Sequence, residues 1–569
     1  MTLKGIGASK GIAIAKVFEL KHHDIKIEKK ASNVEEEVQK LENAIDQAIK
    51  QIEKTKELAA KNLDPEHAAI FDAHMQIASD PMIKDEVIAT IKEQKCNADY
   101  AMDLIANNYI QMFSQMDDAY MKERAADIKD VSQKIIFNLL GIVKEDLSQI
   151  NEEIILVAID LTPSETSQLN KKFIKGFATD IGGRTSHSAI MARSMEIPAV
   201  LGLKQITQQV QSGDIIAING TTGEVFINPN PELIKELENK ILEEQAMNKL
   251  LETFKNKASY TKDGLHVEIA ANIGSPADVD GVLNATGEAV GLFRSEFLYM
   301  DSTNWPSEEE QFEAYREVLS RMNGKKVVIR TLDIGGDKTL KYFKFPEEMN
   351  PFLGWRAVRF TLSQKEIFTT QLRALIRASQ FGKLAIMFPM IATVDEFKQA
   401  RALYDEVYAD VKKTYPNVSD QIEVGMMVEI PTAAVLSNQF CQYADFVSIG
   451  TNDLMQYSMA CDRMNEKVSY LYQPLNPAIL KLIKMTIEGA HKQGKWAGMC
   501  GEMAGDLNVI PLLVGMGLNE FSMSASSILP ARELISRIHS KKAKKLVKLV
   551  LEADNEQEVM ELIEQHKHW

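Results

Sequence analysis

The sequence predicts a multidomain α/β protein. It comprises a split α/β domain (residues 1–20 plus 145–230) with an inserted helical bundle (21–144), a linker helix (231–259) and a C-terminal (β/α)8 TIM barrel (260–569). Three observations predict this. At 569 residues the chain is too long for a single hydrophobic core. Strand-like runs at the start give way to helical periodicity and return near residue 154. Beyond residue 260, eight apolar runs each precede a plausible helix, over about the length of a (β/α)8 barrel.

Among the first 20 residues, Ile12 to Phe18 reads as a short strand that must pair with something later. Ser32-Asn33-Val34-Glu35 is a capping-box pattern. Val34, Val38, Leu41, Ile45, Ile49 and Ile52 then recur at helical spacing. Further helical segments cover 66–79, 82–95, 98–116 and 118–141, with a four-helix arrangement as the simplest packing. Met75 and Ile77 read as core rather than docking surface. Strands return at Ile154 to Ala158, near Gly176 to Thr179, and at Ile197 to Gly202, Ile215 to Gly220 and Gly223 to Ile227. Asn230-Pro231 opens the linker helix, with proline at its first position. The eight later runs begin near Val267, Val290, Val327, Leu384, Val424, Phe446, Trp496 and Phe521. They lack sustained alternation, as parallel strands covered on both sides do. An open doubly wound sheet is the competing arrangement.

Composition narrows the function classes. A net charge of −15 argues against non-specific nucleic-acid binding, so an anionic substrate needs a local cluster of cations. Cys96, Cys441, Cys461 and Cys500 share no CxxC spacing, against a disulfide framework or a zinc site. No apolar run reaches membrane-span length and the N-terminus lacks a secretory core, so a cytoplasmic location is expected.

The chemistry collects in two places. In Gly182-Gly183-Arg184-Thr185-Ser186-His187 the glycines form a turn, Thr185 and Ser186 stand where a helix N-cap belongs, and His187 begins the helix. An imidazole among free N–H groups at the positive helix end is well placed to carry a phosphoryl group. A capped helix with a solvent-facing histidine explains the same residues. Barrel enzymes place reactive groups at the C-terminal ends of strands. Those positions hold Arg294, Arg330, Glu429, Asn452, Asp453 and Cys500, with Arg463 and Arg356 in nearby loops. Arginines suit bidentate binding of phosphate and carboxylate, and Glu429 with Asp453 suits Mg²⁺. Cys500 is either a thiol proton donor or a buried small hydrophobe.

These motifs carry a resemblance. The His187 motif with Ile190-Met191-Ala192-Arg193 resembles the phosphohistidine signature of the phosphoenolpyruvate-utilising enzymes, and Asp445 to Leu454 resembles their barrel signature. Gly291 to Phe297, Asn350 to Arg356 and Gly498 to Glu502 add to it. The whole layout is similar to the Enzyme I family of the bacterial sugar phosphotransferase system. The resemblance implies that His187 is phosphorylated on Nε2, and that Arg294, Arg330, Asn452, Asp453 and Arg463 bind phosphoenolpyruvate. It also implies that Glu429 and Asp453 hold Mg²⁺ and that Cys500 protonates the enolate to pyruvate. Thr166 resembles the hydrogen-bond partner of the active histidine, and Arg124 matches a motif near the docking site of the carrier protein HPr. A homodimer through the barrel is implied as well. A dikinase or synthase of the same family would add a nucleotide-binding domain before the histidine, and no GxxxxGK[ST] loop occurs here. A catalytically dead regulatory relative would show degraded motifs, and these are intact.

Overall fold

β-Rich runs bounded by glycines form three strands at the N-terminus of the computed structural model: β1 (Thr2–Lys4), β2 (Ile6–Ser9) and β3 (Ile12–Glu19). The structure describes residues 1–21, 26–62, 65–115, 119–142, 147–166, 168–183, 186–300, 302–336, 338, 340–463 and 465–567. For some of these residues, His187 among them, it describes the backbone alone. The chain divides into two compact units, Met1–Ala246 and Met247–Trp569.

In the first unit, β3 is followed by helices α1 (Val34–Asn62), α2 (Pro65–Ala78), α3 (Pro81–Gln94), α4 (Ala98–Ser114) and α5 (Ala119–Leu140). All five predicted helical segments form, so among the described residues the insert has five helices where four was the simplest packing, with Asp80 capping α3 through the Met82 N–H. The cap of α1 also differs from expectation by one residue: Asn33, not Ser32, accepts the Glu35 N–H and pairs with Glu36. Leu41, Ile45 and Ile52 from the predicted stripe lie in the bundle core with Phe71, Val87, Ile91 and Ile105, while Met75 and Ile77 pack half-buried against it. His74 is 1% exposed, its Nε2 3.1 Å from the Asp127 carboxylate.

The sheet of this unit runs β1-β8-β7-β3-β4-β5-β6-β2. Its later strands are β4 (Ile154–Ala158), β5 (Ile174–Thr179), β6 (Ala199–Leu201), β7 (Ile215–Asn219) and β8 (Glu224–Ile227). β3 pairs parallel with β4 and antiparallel with β7, so the segment before the insert is stitched to the segment after it. All five side chains of β4 are buried. At about 1.5–3 kcal/mol for each large aliphatic side chain, such a strand anchors the sheet. Two short helices follow from the return segment, α6 (Pro163–Thr166) and α7 (His187–Met195). The Ser164 hydroxyl on α6 donates to Asp130 on α5 at 2.6 Å, tying the bundle to the α/β layer. Helix α8 (Pro231–Glu252) contains the boundary between the units.

The second unit is a closed barrel in which every neighbouring pair is parallel. Its strands are β9 (Glu268–Ile273), β10 (Ala289–Arg294), β11 (Lys326–Arg330), β12 (Lys383–Phe388), β13 (Glu423–Val428), β14 (Phe446–Ile449), β15 (Trp496–Met499) and β16 (Glu520–Met523). All eight predicted runs became these strands, and the open-sheet alternative falls to closure between β16 and β9. The floor, at the N-terminal strand ends, holds an ionic cluster. Lys326 Nζ lies 2.6 Å from Glu268, 2.8 Å from Glu520 and 3.7 Å above the Trp496 ring centre. Burial pushes Glu520 up to about 7 against the pull of Lys326. Gly291 and Gly498 leave room for it: a Cβ there would sit 2.7 and 3.0 Å from the Glu520 carboxylate.

Candidate functional site

Two places hold the sequence-predicted chemistry, one in each unit. In the first, Gly182 (φ +120°) turns the chain and Ser186 caps α7, its hydroxyl accepting the Ala189 N–H at 3.3 Å. His187 is thus the first residue of the helix, among the N–H groups that a helix start leaves without internal partners. Arg184 and Thr185, also part of the predicted motif, lie outside the described residues. Thr166 is buried at the end of α6, which neighbours α7. Ser188 donates to Asp160 at 3.1 Å, holding the first turn of α7 to the loop after β4.

In the second unit, the C-terminal strand ends converge on a buried, connected array of charges. Arg330, last residue of β11 and 7% exposed, reaches Glu296 at 2.5 Å and Asp333 at 3.2 Å. Arg356, 2% exposed, reaches Asp333 at 2.9 Å and Asp453 at 3.7 Å. Arg463 lies 3.5 Å from Asp453, and Lys338 bridges Asp333 and Glu296 at 3.2 and 3.5 Å. Arg294, paired with Arg330 across β10 and β11, is exposed at the rim. Asn452 accepts from the Tyr472 hydroxyl at 3.2 Å. Every predicted residue of the barrel site therefore lies at this one end, but the arginines are unequal: Arg330 and Arg356 are sunk in the array while Arg294 faces solvent.

The electrostatics follow from burial. Burial alone would lower Arg330 and Arg356, yet the surrounding carboxylates more than reverse this and keep both charged. Burial would raise Asp333, and Arg330, Lys338 and Arg356 instead hold it well below the carboxylate range. Glu429, 1% exposed just past β13, is pushed up to about 8 by burial and by repulsion from Asp453 and Asp333, and it accepts the Met390 N–H. Cys500, past β15, is pushed up to about 11 by burial, with Ser448, Arg330 and Arg294 working in the other direction. The cysteine is a buried group packed on Leu292, Val328 and Met427, and its burial keeps the thiol protonated.

Several buried polar atoms in this array lack hydrogen-bond partners among the described residues: Arg330 Nε, Arg356 Nε, Glu296 Oε2, Thr451 Oγ1 and Asp453 Oδ1. Native interiors leave few such atoms unmet, so their convergence marks space shaped for a polar ligand. Five cations (Arg294, Arg330, Lys338, Arg356, Arg463) face four carboxylates (Glu296, Asp333, Glu429, Asp453), a balance that favours an anion. Glu429 and Asp453 also fit a hard divalent cation. One is raised by repulsion from the other, and the Asp453 Oδ1 atom accepts no hydrogen bond. Two carboxylates leave the rest of an octahedron to substrate oxygens and water, as Mg²⁺ sites do.

Sequence reasoning gave no role to Glu296, Asp333 or Lys338. Each lies two or more residues past a strand end, where a single charged residue ordinarily signals a surface pair. The connection from Thr331 to Arg356 that supplies two of them has its own apolar core. Trp305, Tyr342, Phe343, Phe345, Trp355 and Phe360 pack ring on ring at 4.9–6.0 Å, and the Glu348 carboxylate accepts the Trp355 N–H at 2.9 Å. Two non-glycine residues with positive φ lie beside the array: Met390 (+56°), which contacts Glu429, and Ala357 (+51°), which follows Arg356. Backbone of that kind costs free energy and clusters at functional sites.

A barrel mouth lined by clustered guanidinium groups has the charge and geometry to bind a small polyanion. Comparison with known proteins specifies which. Models of the PEP-utilising enzymes match three stretches: the N-terminal domain at residues 4–124, the mobile domain at 150–223 and the PEP-binding domain at 248–540. The phosphoenolpyruvate-protein phosphotransferase of Mycoplasma capricolum subsp. capricolum is 55% identical over 99% of this chain and 98% of its own. That of Listeria innocua is 55% identical over 99% of both chains, and that of Bacillus subtilis 54% identical over 99% of both. The chain belongs to the PEP-utilising enzyme family, in its phosphoenolpyruvate-protein phosphotransferase branch, and is a transferase.

Proposed function

We propose that the chain takes the phosphoryl group of phosphoenolpyruvate onto His187 and passes it to the histidine of the carrier HPr, releasing pyruvate and starting a sugar-uptake phosphorelay. The observation that carries this reading is the buried array of guanidinium and carboxylate groups beside a protonated thiol at the barrel mouth. Arg294, Arg330 and Arg463 bind the phosphate and carboxylate of the substrate, with Asn452 and Asp453 alongside. Lys338 and Arg356 add charge and hold Asp333 in place. Neutral His187 Nε2 attacks phosphorus in line with the enolate oxygen, forming the N–P bond as the P–O bond breaks. The enolate then takes a proton at its methylene carbon from Cys500 Sγ, and water restores the thiol. Glu429 and Asp453 would hold Mg²⁺, which when bound neutralises phosphate charge. Fixed positions and fixed charges make up the protein's contribution.

The acceptor half of the reaction is assigned to the helical insert. Arg124 on α5 lies 3.6 Å from Asp127, a charged pair on the segment that resembles the HPr-docking motif. Exposed Val435, Leu436 and Met485, on adjoining barrel helices linked by a Ser437–Met485 hydrogen bond, support the homodimer reading. No helix among the described residues is long and apolar enough to cross a membrane. The four cysteines are free and buried, which suits a cytoplasmic location. The test is incubation with radiolabelled phosphoenolpyruvate and Mg²⁺, without ATP. Acid-labile label should appear on the protein and pass to HPr. No label on the wild type, or undiminished label on His187→Ala, would overturn the reading.

A further inference from the structure

Behind the charged array lies a second, uncharged layer. Helix Lys365–Ala378 carries Gln371, whose side chain is 0% exposed. Its Oε1 accepts the Leu332 N–H at 2.9 Å, and its Nε2 donates to Ser295 Oγ at 3.0 Å and to Tyr315 Oη at 3.1 Å. The Ser295 hydroxyl donates in turn to the Arg330 carbonyl at 2.8 Å. The Tyr315 hydroxyl donates to Gln311 Oε1 at 3.3 Å, and the Gln311 amide donates to the Pro306 carbonyl at 3.0 Å. Both glutamines are anchored by the directions of these bonds. The Leu332 N–H can only donate, so the Gln371 oxygen must face it, and both amide protons must then point at the two hydroxyls.

The placement of the residues held in this way is specific. Ser295 lies between Arg294 and Glu296 at the tip of β10, and Leu332 lies between Arg330 and Asp333 past the tip of β11. One amide on a covering helix therefore fixes the backbone beneath four members of the array without touching any of them. Both strand tips, already paired in the sheet at Arg294 and Arg330, are also tied to Gln371 where their chains leave the ladder. We propose that Gln371 is a positioning residue for the phosphoenolpyruvate clamp, acting through Ser295 and Leu332 to hold the segments that leave β10 and β11 and carry Glu296 and Asp333 against Arg330. The inference rests on the assignment of those arginines to phosphoenolpyruvate given above.

Buried networks of this kind act as units: losing the centre leaves several polar groups without partners. Displacement of a clamp by about 1 Å costs on the order of a hundredfold in rate. The test measures the two half-reactions separately, in the full-length protein, for Gln371→Met, Ser295→Ala and Arg330→Ala. Gln371→Met keeps the volume and removes all three hydrogen bonds, and Ser295→Ala removes the bond to Arg330 and the one from Gln371 while leaving Gln371 on Leu332 and Tyr315. Both should lower kcat/KM for phosphoenolpyruvate, by roughly tenfold to a hundredfold, chiefly through KM. Transfer of label from the phosphorylated protein to HPr should stay at the wild-type rate, which a general loss of folded protein would not allow. If Gln371→Met does not fold, Ser295→Ala decides the matter. Wild-type kinetics in the folded hub variants beside a crippled Arg330→Ala would overturn the proposal alone. Wild-type kinetics in Arg330→Ala would overturn the clamp assignment and the proposal with it.

Discussion

Replacing Glu520 by glutamine should stabilise the barrel increasingly as pH rises. Glu520 is 1% exposed, and burial moves it from 4.5 in an unfolded chain to about 7 in the folded barrel. A carboxyl raised on folding favours the native state below its unfolded value, and that advantage is lost as pH rises through the folded value. At 1.36 kcal/mol for each factor of ten in proton concentration, the window from 4.5 to 7 is worth about 3 kcal/mol. Most of that, on the order of 2–3 kcal/mol, falls between pH 5 and pH 8. Glutamine keeps the volume beneath Gly291 and Gly498 and does not titrate, while Lys326 retains Glu268 and the Trp496 face. The assay is denaturant unfolding of wild type and Glu520→Gln at both pH values, followed by a probe of the barrel. The difference between the two proteins should move by on the order of 2–3 kcal/mol in favour of the variant on going to pH 8. A difference independent of pH, or one moving the other way, would refute the reasoning that burial outweighs Lys326 at this carboxyl.

Cys500→Ala should slow pyruvate formation by on the order of a hundredfold or more, the usual worth of a placed proton donor, as read by stopped-flow coupling to pyruvate reduction. Because the Cys500 thiol is held at about 11, the wild-type rate should show no loss of this donor between pH 6 and pH 9. Arg330→Lys should restore only part of what Arg330→Ala loses in KM for phosphoenolpyruvate, since a point charge cannot replace a planar guanidinium whose Nη2 reaches both Glu296 and Asp333 while Nη1 faces Met427 Sδ. Arg330→Ala should also cost about 3 kcal/mol in unfolding measurements, because it strips a cation from two buried carboxylates. Lys338 and Arg356 remain beside those carboxylates to moderate the loss.

The barrel was readable because parallel strands covered on both sides are mostly apolar and lack sustained alternation. The runs from Val267 to Met523 carry that mark despite single polar residues such as Glu268 and Ser522. The residues that close each run were readable for the related reason that reactive groups sit at strand ends. What stayed hidden depends on longer range or finer geometry. β1 and β2 are three and four residues long, too short to show a period beside their glycines. Glu296, Asp333 and Lys338 join the site only when loops fold back over the strand ends. Gln371 is separated from Arg330 by 41 positions, and no local pattern relates an amide on a helix to a carbonyl on a strand. The positive φ at Met390 has no sequence signature at all, since the residue is neither glycine nor asparagine.

The aromatic packing of the Thr331–Arg356 connection has a consequence for how the barrel mouth can change. Asp333, Lys338 and Arg356 ride on a segment braced by its own rings, with Trp305 and Phe360 supplied by its neighbours. The three charges therefore move as one cassette rather than as separate side chains. Individual tuning of any one of them is resisted by the other two, while a swap of the whole segment would carry a complete charge pattern to another barrel at a single stroke. Loosening one ring, conversely, would blur all three charges together.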